Sequence, residues 1–517
     1  MEYCFINDVF QVDYVMYYSS ISTPIVFKFV AIWAGQAGSI MTWMVFNAIV
    51  LFFFRNPFKN KKKPYKKDAV FLLACVISLT VFLVFLLVLF YLAPFSFSYA
   101  PIYEFGKGLE PVLLSPFMIY HPFFTFIAYA IFLVPFSIII AEAIIGIVRK
   151  GTNSRNSDDN PPPVLLGDYQ KLFDRFALKF GWLVMTLSIG LGAYWAKISI
   201  NWGRYWGWDP VETVSLLPWI FGTAYFHSRA FGKSNSKLSK FNVILIFLSV
   251  VFSTLITRGG GIGSKHVFIL TEEMMMIFAW ILIIGGIILF FTAFIVIESL
   301  NQLLEIYKKR KLFMDYLSYF FLFLMAFVCL IGLYIPPVTY LLNHFLPIQK
   351  ASIAPAYYRT IIPIPVMGLA ISLIFCSLMG NYKIKSIGKI LFIGLSSVFL
   401  ISLVIILISM PQAIIKLREF IAFTIYIGSA IGGFFSILKS LDSWKGYKNF
   451  FRINGKKIIH VGISLIFIGF LTGTTILTDI FYLTGFFLLL FGMIPSIIVD
   501  FIKKAISRSI SSKMEES

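Results

Sequence analysis

Charged side chains are scarce in this sequence: only 13% of its 517 residues are charged, whereas 59% are hydrophobic. Soluble domains carry about 25% charged residues, so the composition excludes an ordinary globular enzyme free in solution. Mostly apolar stretches of about 20 residues recur along the chain, and each is long enough to cross a bilayer. Backbone groups in lipid must bond within their own segment, so these stretches are predicted to be helices. We therefore expect an all-α, polytopic membrane protein.

The apolar stretches predict one polytopic membrane domain over residues 1–517, with about thirteen transmembrane helices. Their approximate limits are 32–54, 69–93, 117–147, 176–199, 214–230, 241–257, 274–300, 313–335, 361–380, 388–409, 419–438, 457–474 and 479–500.

Cysteine is also rare, and its placement excludes a thiol–disulfide enzyme. The chain has four cysteines and no CxxC motif. Three of the four lie inside apolar runs, where a cysteine behaves as a small buried hydrophobe. The cysteines are Cys4, Cys75, Cys329 and Cys376.

The formal charge of +20 comes mostly from Lys and Arg in short loops, as in the basic segment 55–67. Every second loop is basic, so the positive-inside rule predicts that these loops are cytoplasmic. The N-terminus is then outside and the C-terminus inside. The polar segment 151–163 is predicted to be a cytoplasmic linker. Nucleic acid is excluded as a partner, because no soluble basic module with aromatic platforms is present.

The chain has only five histidines, and ionisable residues within membrane spans are functional candidates because they are costly there. His227 and His460 are predicted near the cytoplasmic ends of two different spans, at similar depth. Such a pair could ligate one heme iron from both sides, which suits an electron-transfer b-type heme. Each could instead be a helix-to-helix hydrogen bonder.

Two other histidines are predicted at the extracytoplasmic surface. His121 opens a span and His266 follows the Arg258-Gly-Gly-Gly run in an outer loop. They could ligate a second heme iron from two sides. His344 has no obvious partner and is interpreted as a surface histidine.

The segment 200–219 is the densest motif, with three tryptophans in seven residues from Trp202 to Trp208. An interfacial aromatic belt explains one or two tryptophans at a span end, but not this mixture with Gly, Arg and acidic residues. Flat indole faces could form a platform for an apolar macrocycle. Arg204, Arg258 or Lys265 could then pair with heme propionates.

The run from Trp202 to Glu212 resembles the tryptophan-rich "WWD" signature of heme-handling proteins in cytochrome c biogenesis. Further segments resemble the CcmF-type heme lyase family along nearly the whole chain. They are the Trp-Gly span 31–43, the loop 106–122 ending in His-Pro, the stretch 216–228, the Arg-to-His spacing 258–266, and the segments 352–365 and 460–462.

The resemblance implies a heme lyase that holds heme at the outer face and attaches it to the CxxCH thiols of apocytochrome c. It implies His121 and His266 as ligands of the substrate heme iron, and His227 and His460 as ligands of a resident heme b that acts as reductant. The further heme-binding residues that it implies are Trp202, Trp206, Trp208, Asp209, Glu212, Arg204 and Arg258. No catalytic nucleophile of the protein's own is expected.

The resemblance also implies partners and a location. The partners are a CcmE-type heme chaperone, CcmH/CcmI-type subunits, apocytochrome c, membrane lipid, and quinol as a source of electrons. The location is the plasma (inner) membrane, with the heme site on the extracytoplasmic face. One alternative is a heme transporter or heme-chaperone loader with the same loop but no thioether-forming activity. Another is a purely redox membrane cytochrome, which would leave the tryptophan loop unexplained.

Three departures from the family pattern are visible in the sequence. The family's first span is not seen before the segment 13–15. Gln36-Ala37 stands where the family tends to have His-Glu. The outer domain before the last span is reduced to the turn 473–479, so a separate chain is expected to help dock the apocytochrome.

Overall fold

The computed structural model describes eleven long parts of the chain and one dipeptide. They are residues 1–55, 69–153, 177–199, 204–228, 237–258, 274–306, 310–343, 345–346, 355–379, 417–441, 447–471 and 476–516. The expectation of an all-α protein is confirmed: in these residues the regular structure is helical, and the only β pairing is an isolated bridge between Val12 and Phe97.

The helices differ in length according to their place in the chain. The three N-terminal helices are short, and most later helices have the length of membrane spans. In chain order they are α1 (Glu2–Ile6), α2 (Asp13–Tyr18), α3 (Ile25–Val30), α4 (Gln36–Arg55), α5 (Ala69–Leu92), α6 (Pro116–Asn153), α7 (Leu178–Ser199), α8 (Pro210–Ser228), α9 (Lys237–Arg258), α10 (Met274–Ile306), α11 (Arg310–Asn343), α12 (Pro355–Ile361), α13 (Pro363–Met379), α14 (Leu417–Leu441), α15 (Tyr447–Leu471) and α16 (Ile476–Glu516).

Among the described residues, ten helical segments are long and apolar enough to cross a membrane. Each coincides with one of the thirteen predicted spans. Two further predicted spans, 176–199 and 214–230, are the helices α7 and α8, which fall outside that set of ten. The remaining one, 388–409, lies outside the described residues.

Two predicted segment limits change. Helix α6 continues to Asn153, so the first three residues of the predicted linker 151–163 are helical, and the others lie outside the described residues. The predicted tryptophan-rich loop 200–219 is a loop only as far as Asp209, because α8 begins at Pro210.

The chain forms two compact units, and the first comprises Met1–Trp202 and Val243–Ile277. It contains helices α1 to α7 and most of α9. Its N-terminal lobe is a small apolar core in which α1 to α3 pack against the segment 109–118. The backbone N–H of Lys107 donates to Met16 O at 2.8 Å, and Gly106 has a φ of +76° that suits glycine. This lobe packs against the start of α6, the helix that carries His121.

The second unit comprises Gly203–Asn242 and Phe278–Ser517. Its last two helices, α15 and α16, approach each other through glycines. A methyl group on Gly462 would lie 2.6 Å from Gly485 O, and one on Gly455 would lie 2.8 Å from Gly492 O. Small residues let membrane helices pack backbone to backbone, which fixes the rotation of each helix against its neighbour. Helix α15 is therefore held in one orientation, and it carries His460.

Candidate functional site

The tryptophan-rich loop ends in a helix cap built by its own acidic residues. Asp209 precedes α8, and its Oδ1 accepts the N–H of Val211 at 2.9 Å. Glu212, buried in the first turn, accepts from the N–H groups of Asp209 at 3.3 Å and Gly207 at 2.8 Å through Oε2. With Pro210 at the first helical position this is a capping box. The Asp-Pro-Val-Glu run therefore fixes how the loop enters α8.

Trp208 stands in an unusual backbone conformation beside this cap. Its φ is +60°, a left-handed value that costs a non-glycine residue about 1–2 kcal/mol. Its indole stacks on the buried ring of Tyr358, with centroids 5.6 Å apart and planes 16° apart. The Trp206 ring meets Trp208 edge to face at 5.9 Å. The indole N–H of Trp206 is buried and has no hydrogen-bond partner. The two tryptophans thus form part of a wall of indole and phenol rings.

The start of the loop is tied to α16. Tyr205 stacks on Tyr482 at a centroid distance of 3.8 Å, and its hydroxyl donates to Asp479 Oδ1 at 2.7 Å. Asp479 lies in the first turn of α16. The Arg204 side chain lies over Gly207, where its Nε would be 3.7 Å from an added methyl group.

His227 and His460 face each other across α8 and α15. Their ring centroids are 6.4 Å apart and their planes are 23° apart. His227 Nδ1 lies 2.9 Å from Thr223 O, and a carbonyl only accepts, so this nitrogen carries the proton. The His227 Nε2 then bears the lone pair that a metal ligand needs. The two histidines that the sequence analysis paired thus lie next to each other, and their depth in the membrane and a shared heme stay predictions.

The separation of the two rings fits a shared metal ion. A metal–imidazole bond is about 2 Å long and the ring centroid lies about 1 Å farther, so rings on opposite sides of one ion have centroids roughly 6 Å apart. The 6.4 Å separation of the two imidazoles allows both to hold one heme iron, and it also lies within the range of about 4.5–7 Å for ordinary aromatic pairs.

Two charged side chains act on this histidine pair. Asp315 on α11 interacts electrostatically with His227, and Lys456 interacts with both histidines. Lys456 precedes His460 by four residues and so shares its face of α15. The sequence analysis did not single out either charged residue, because the ligand pairing was inferred from histidines alone.

His121 lies in the first unit, near the start of α6. Its Nδ1 is 2.8 Å from Ser188 O on α7, which again assigns the proton to Nδ1 and the lone pair to Nε2. Gly192 lies against the ring, because a methyl group there would be 2.7 Å from His121 Cε1. The Trp195 ring is 6.1 Å from the His121 ring. Helix α7 thus orients the imidazole on α6.

Arg258 ends α9 in a recess of the first unit. Three tyrosines, Tyr14, Tyr18 and Tyr129, lie within electrostatic range of its guanidinium. The Gln36 side chain donates to the Arg258 carbonyl oxygen. Burial raises the pKa of Tyr18 to about 12, and the positive charge of Arg258 opposes that rise. The phenol is neutral near pH 7, so it gives Arg258 no counter-charge.

The structure brings together some of the predicted site residues and is silent on others. His227 meets His460, and the loop residues from Arg204 to Glu212 form one network. His266, the predicted partner of His121, lies outside the described residues, as do Trp202, Lys265 and His344. Sequence reasoning missed Tyr358 and Asp479 as partners of the loop. Both residues are more than a hundred positions from the tryptophan loop in the sequence, so no local sequence pattern links them to it.

Comparison with known proteins gives a family match and a fold match. Residues 33–263 match the family described as cytochrome C assembly protein. The chain is 30% identical over 273 residues to the probable cytochrome c-type biogenesis protein NrfE of Escherichia coli (strain K12), covering 52% of this chain and 45% of that protein. It is 26% identical over 392 residues to the cytochrome c-type biogenesis protein CcmF of Pseudomonas fluorescens, covering 74% of this chain and 54% of that one.

A solved structure named cytochrome c heme lyase CcmF has the same fold, with a TM-score of 0.58 at 17% identity. The match covers 91% of this chain and 67% of that chain. This chain spans about half the length of the curated relatives it matches. The resemblance to CcmF-type proteins that the motifs indicated is confirmed.

Proposed function

Since residues 33–263 match the family described as cytochrome C assembly protein, we propose that this protein is a heme lyase of cytochrome c maturation. It holds heme at the outer face of the plasma (inner) membrane and attaches it to the CxxCH thiols of apocytochrome c. The observation that carries the proposal is the histidine pair, in which two imidazoles from different helices have ring centroids 6.4 Å apart. A protein that only transports or loads heme needs no such second site.

The proposal assigns separate tasks to the histidines. His227 and His460 would hold a resident heme b, His227 through its Nε2, and that heme would supply electron transfer. Bound there, the group supplies single electrons, with quinol as their source. His121 and His266 hold the iron of the substrate heme. Release requires that the histidine of the substrate's CxxCH replace one of them.

The remaining residues position and orient the heme. Trp202, Trp206 and Trp208 offer flat apolar faces to heme, and Asp209 and Glu212 support them by capping α8. Arg204 and Arg258 offer guanidinium groups to propionates. Thioether formation adds the S–H of each substrate cysteine across a heme vinyl C=C bond, so no group leaves. The protein contributes position and no nucleophile, because the reactive atoms belong to heme and substrate.

The proposal includes an orientation and partners. Basic loops face the cytoplasm, with the N-terminus outside and the C-terminus inside. A CcmE-type chaperone delivers heme, and CcmH/CcmI-type subunits help present the apocytochrome. These partners follow from the family likeness, and a further chain is expected because the segment 473–479 is short.

The test is the optical spectrum and heme stoichiometry of the purified protein beside His227→Ala and His460→Ala. We expect a reduced b-type spectrum in the parent and its loss in both variants. Gel filtration and thermal unfolding check that each variant is folded. His121→Ala is the matched control and should keep the spectrum. A parent without heme b, or folded variants that retain it, would exclude the resident site and leave a heme loader.

A further inference from the structure

Helix α3 in the N-terminal lobe turns its charged residue inward and its apolar residues outward. Lys28 is buried, and its ammonium lies 2.6 Å from each carboxylate oxygen of Asp8. Ile25, Val26 and Phe29 are about half exposed. A helix at a water surface has the opposite arrangement, with its charged face outward and its apolar stripe against the core. The outer face of α3 therefore suits apolar surroundings.

The ion pair shows that the burial of Lys28 is built into the lobe. A buried charge is costly unless a counter-charge pairs with it. Asp8 supplies that charge from a left-handed backbone conformation, with a φ of +53°, which is unfavourable for a non-glycine residue. An α3 that faced water would need neither feature, because rotation about its axis would expose the lysine and bury the apolar side chains.

A second apolar surface adjoins α3 along the segment 95–105. The N–H of Ser98 donates to Gln11 O at 2.8 Å, so this segment belongs to the lobe. The N–H of Ile21 donates to Phe105 O at 3.1 Å, and both of these side chains are exposed. The two surfaces meet there. The exposed large hydrophobic residues of the segment are Phe95, Phe97, Tyr99, Ile102, Tyr103 and Phe105.

Three spans place the lobe at a membrane boundary. Helix α4 begins at Gln36, soon after α3 ends at Val30, and α5 ends at Leu92, just before the segment 95–105. The lobe also packs against the start of α6. Consecutive spans run in opposite directions, so these three helix ends lie on one side of the membrane. With 24 residues, α5 is about 36 Å long and exceeds a hydrocarbon core of about 30 Å, so the segment after it begins in the headgroup layer.

Lipid fits this surface better than a partner protein does. The sequence has no charged residue from Ala69 to Tyr103, which covers α5 and most of the segment 95–105. Phe90 and Tyr91 are exposed at the end of α5, so the apolar surface of that span continues into the segment. Tyrosine is typical of the membrane interface, where its ring lies in an apolar layer and its hydroxyl reaches water. A protein interface would have a polar rim around its apolar centre.

We propose that the N-terminal lobe is an interfacial membrane anchor. The exposed face of α3 and the segment 95–105 lie in the headgroup layer of the leaflet at which α4 begins, against the ends of the acyl chains. The contact is apolar, because the internal pair with Asp8 keeps Lys28 away from the headgroups. The inference needs no heme chemistry and goes beyond the proposed function. A protein that covers the same face is the competing occupant.

The first test uses the unmodified full chain in phosphatidylcholine nanodiscs, with an apolar diazirine that partitions among the acyl chains. Peptide mass spectrometry locates the label after photolysis. We expect label in residues 21–30, in 95–105 and in α5, which is the internal reference for lipid contact. Residues 107–110 should stay unlabelled, because Lys107 and Glu110 carry exposed charges there. Label in α5 without label in either 21–30 or 95–105 would overturn the anchor.

The second test measures depth with a nitroxide spin label on a single cysteine, in a chain whose four native cysteines are replaced by alanine. Val26→Cys probes the outer face of α3, and Lys107→Cys is the matched control on an exposed, charged part of the same lobe. Thermal unfolding checks that both variants are folded. The ratio of oxygen access to access of a water-soluble nickel complex should be several-fold higher at position 26 than at position 107. Adding phosphatidylglycerol should leave both ratios unchanged, because the contact is apolar.

Equal ratios at the two positions would overturn the anchor. Low access of both probes at position 26, in particles that hold two copies of the chain, would assign the face to a protein contact instead. A ratio at position 26 that rises only with phosphatidylglycerol would show that basic side chains hold the lobe, contrary to the proposal. If the cysteine-free chain does not fold, diazirine labelling of the unmodified chain decides the question.

Discussion

The histidine pair on α8 and α15 and the single histidine His121 on α6 are held in different ways. The Thr223 carbonyl oxygen in its own helix orients the His227 ring. His460 lies on α15, which packs against α16 through glycines. His121 takes its orientation from a neighbouring helix, through Ser188 O. A pair fixed on two packed helices suits a cofactor that stays. A ligand steered by one adjacent helix suits a molecule that arrives and leaves.

The largest effect should follow from His121→Ala, which separates the two regions. Maturation of a CxxCH reporter should fall to background, because under the proposed function His121 holds the iron of the substrate heme. The resident heme spectrum should stay at parental intensity. Covalent heme staining of the reporter and an optical spectrum of the purified protein measure the two quantities.

Loss of the resident spectrum in His121→Ala would contradict this division, provided that the variant is folded. Normal reporter maturation would remove His121 from the ligand set. Thr125→Val is a companion variant, because the Thr125 hydroxyl bonds the His121 backbone oxygen and the Ser188 hydroxyl beside the ring.

The next effect should come from adding one methyl group in each region. Gly462→Ala pushes α15 away from α16, because the added methyl group would be 2.6 Å from Gly485 O. Overpacking of this kind lowers the free energy of unfolding by about 1–3 kcal/mol. We expect a lower melting temperature and partial loss of the resident heme. Gly192→Ala presses on the His121 ring and should lower reporter maturation while the resident heme is kept.

The comparison has an internal control in Gly146→Ala, since nothing lies within 4 Å of a methyl group there. If Gly192→Ala reduced the resident heme and Gly462→Ala did not, the assignment of the two regions would be reversed.

Smaller effects are expected from the charges beside the pair. Lys456→Gln removes a positive charge near both histidines, which favours the oxidised iron and lowers the midpoint potential of the resident heme. Asp315→Asn removes a negative charge near His227 and should raise that potential. Potentiometric titration of the purified protein measures both shifts.

Lys457→Gln is the control for those shifts, because the Lys457 ammonium is directed to Ser436 O on α14, at 2.8 Å. Shifts of the same sign in Lys456→Gln and Asp315→Asn would refute an electrostatic origin. Exposure of Lys456 to solvent screens its charge, so we expect the Lys456 shift to be modest.

The smallest effect should come from the helix cap. Asp209→Ala removes a side-chain cap of α8 and should lower the free energy of unfolding by about 1 kcal/mol. Asp209→Asn keeps an acceptor and should be close to neutral. Thermal unfolding in detergent measures both, and a neutral Asp209→Ala would show that the loop is held by its ring contacts alone.

Local features of this fold were predictable from the sequence, and distant contacts were not. Ten spans followed from apolar length, and the pairing of His227 with His460 followed from their depth in opposed helices. The capping role of Asp209 and Glu212 is also local, yet the motif was interpreted only as heme binding. The spacing of three residues between Asp209 and Glu212, just before an apolar run, was the signal that could have revealed the capping box.

The partners of the tryptophan loop could not be predicted. Tyr358 and Asp479 reach it through the packing of α11, α12 and α16, and nothing in their local sequence marks them. The tautomer of His121 depends likewise on Ser188 O, a backbone atom that carries no sequence signature.

The glycine contacts of α15 and α16 have a consequence for how this chain can change over time. Gly455 faces the Gly492 backbone and Gly462 faces the Gly485 backbone, each too close for a methyl group. A larger residue at one position cannot be relieved by a smaller one opposite, because the partner is already glycine. We therefore expect relatives to keep glycine at all four positions together, so that α15 and α16 are conserved as a packed pair.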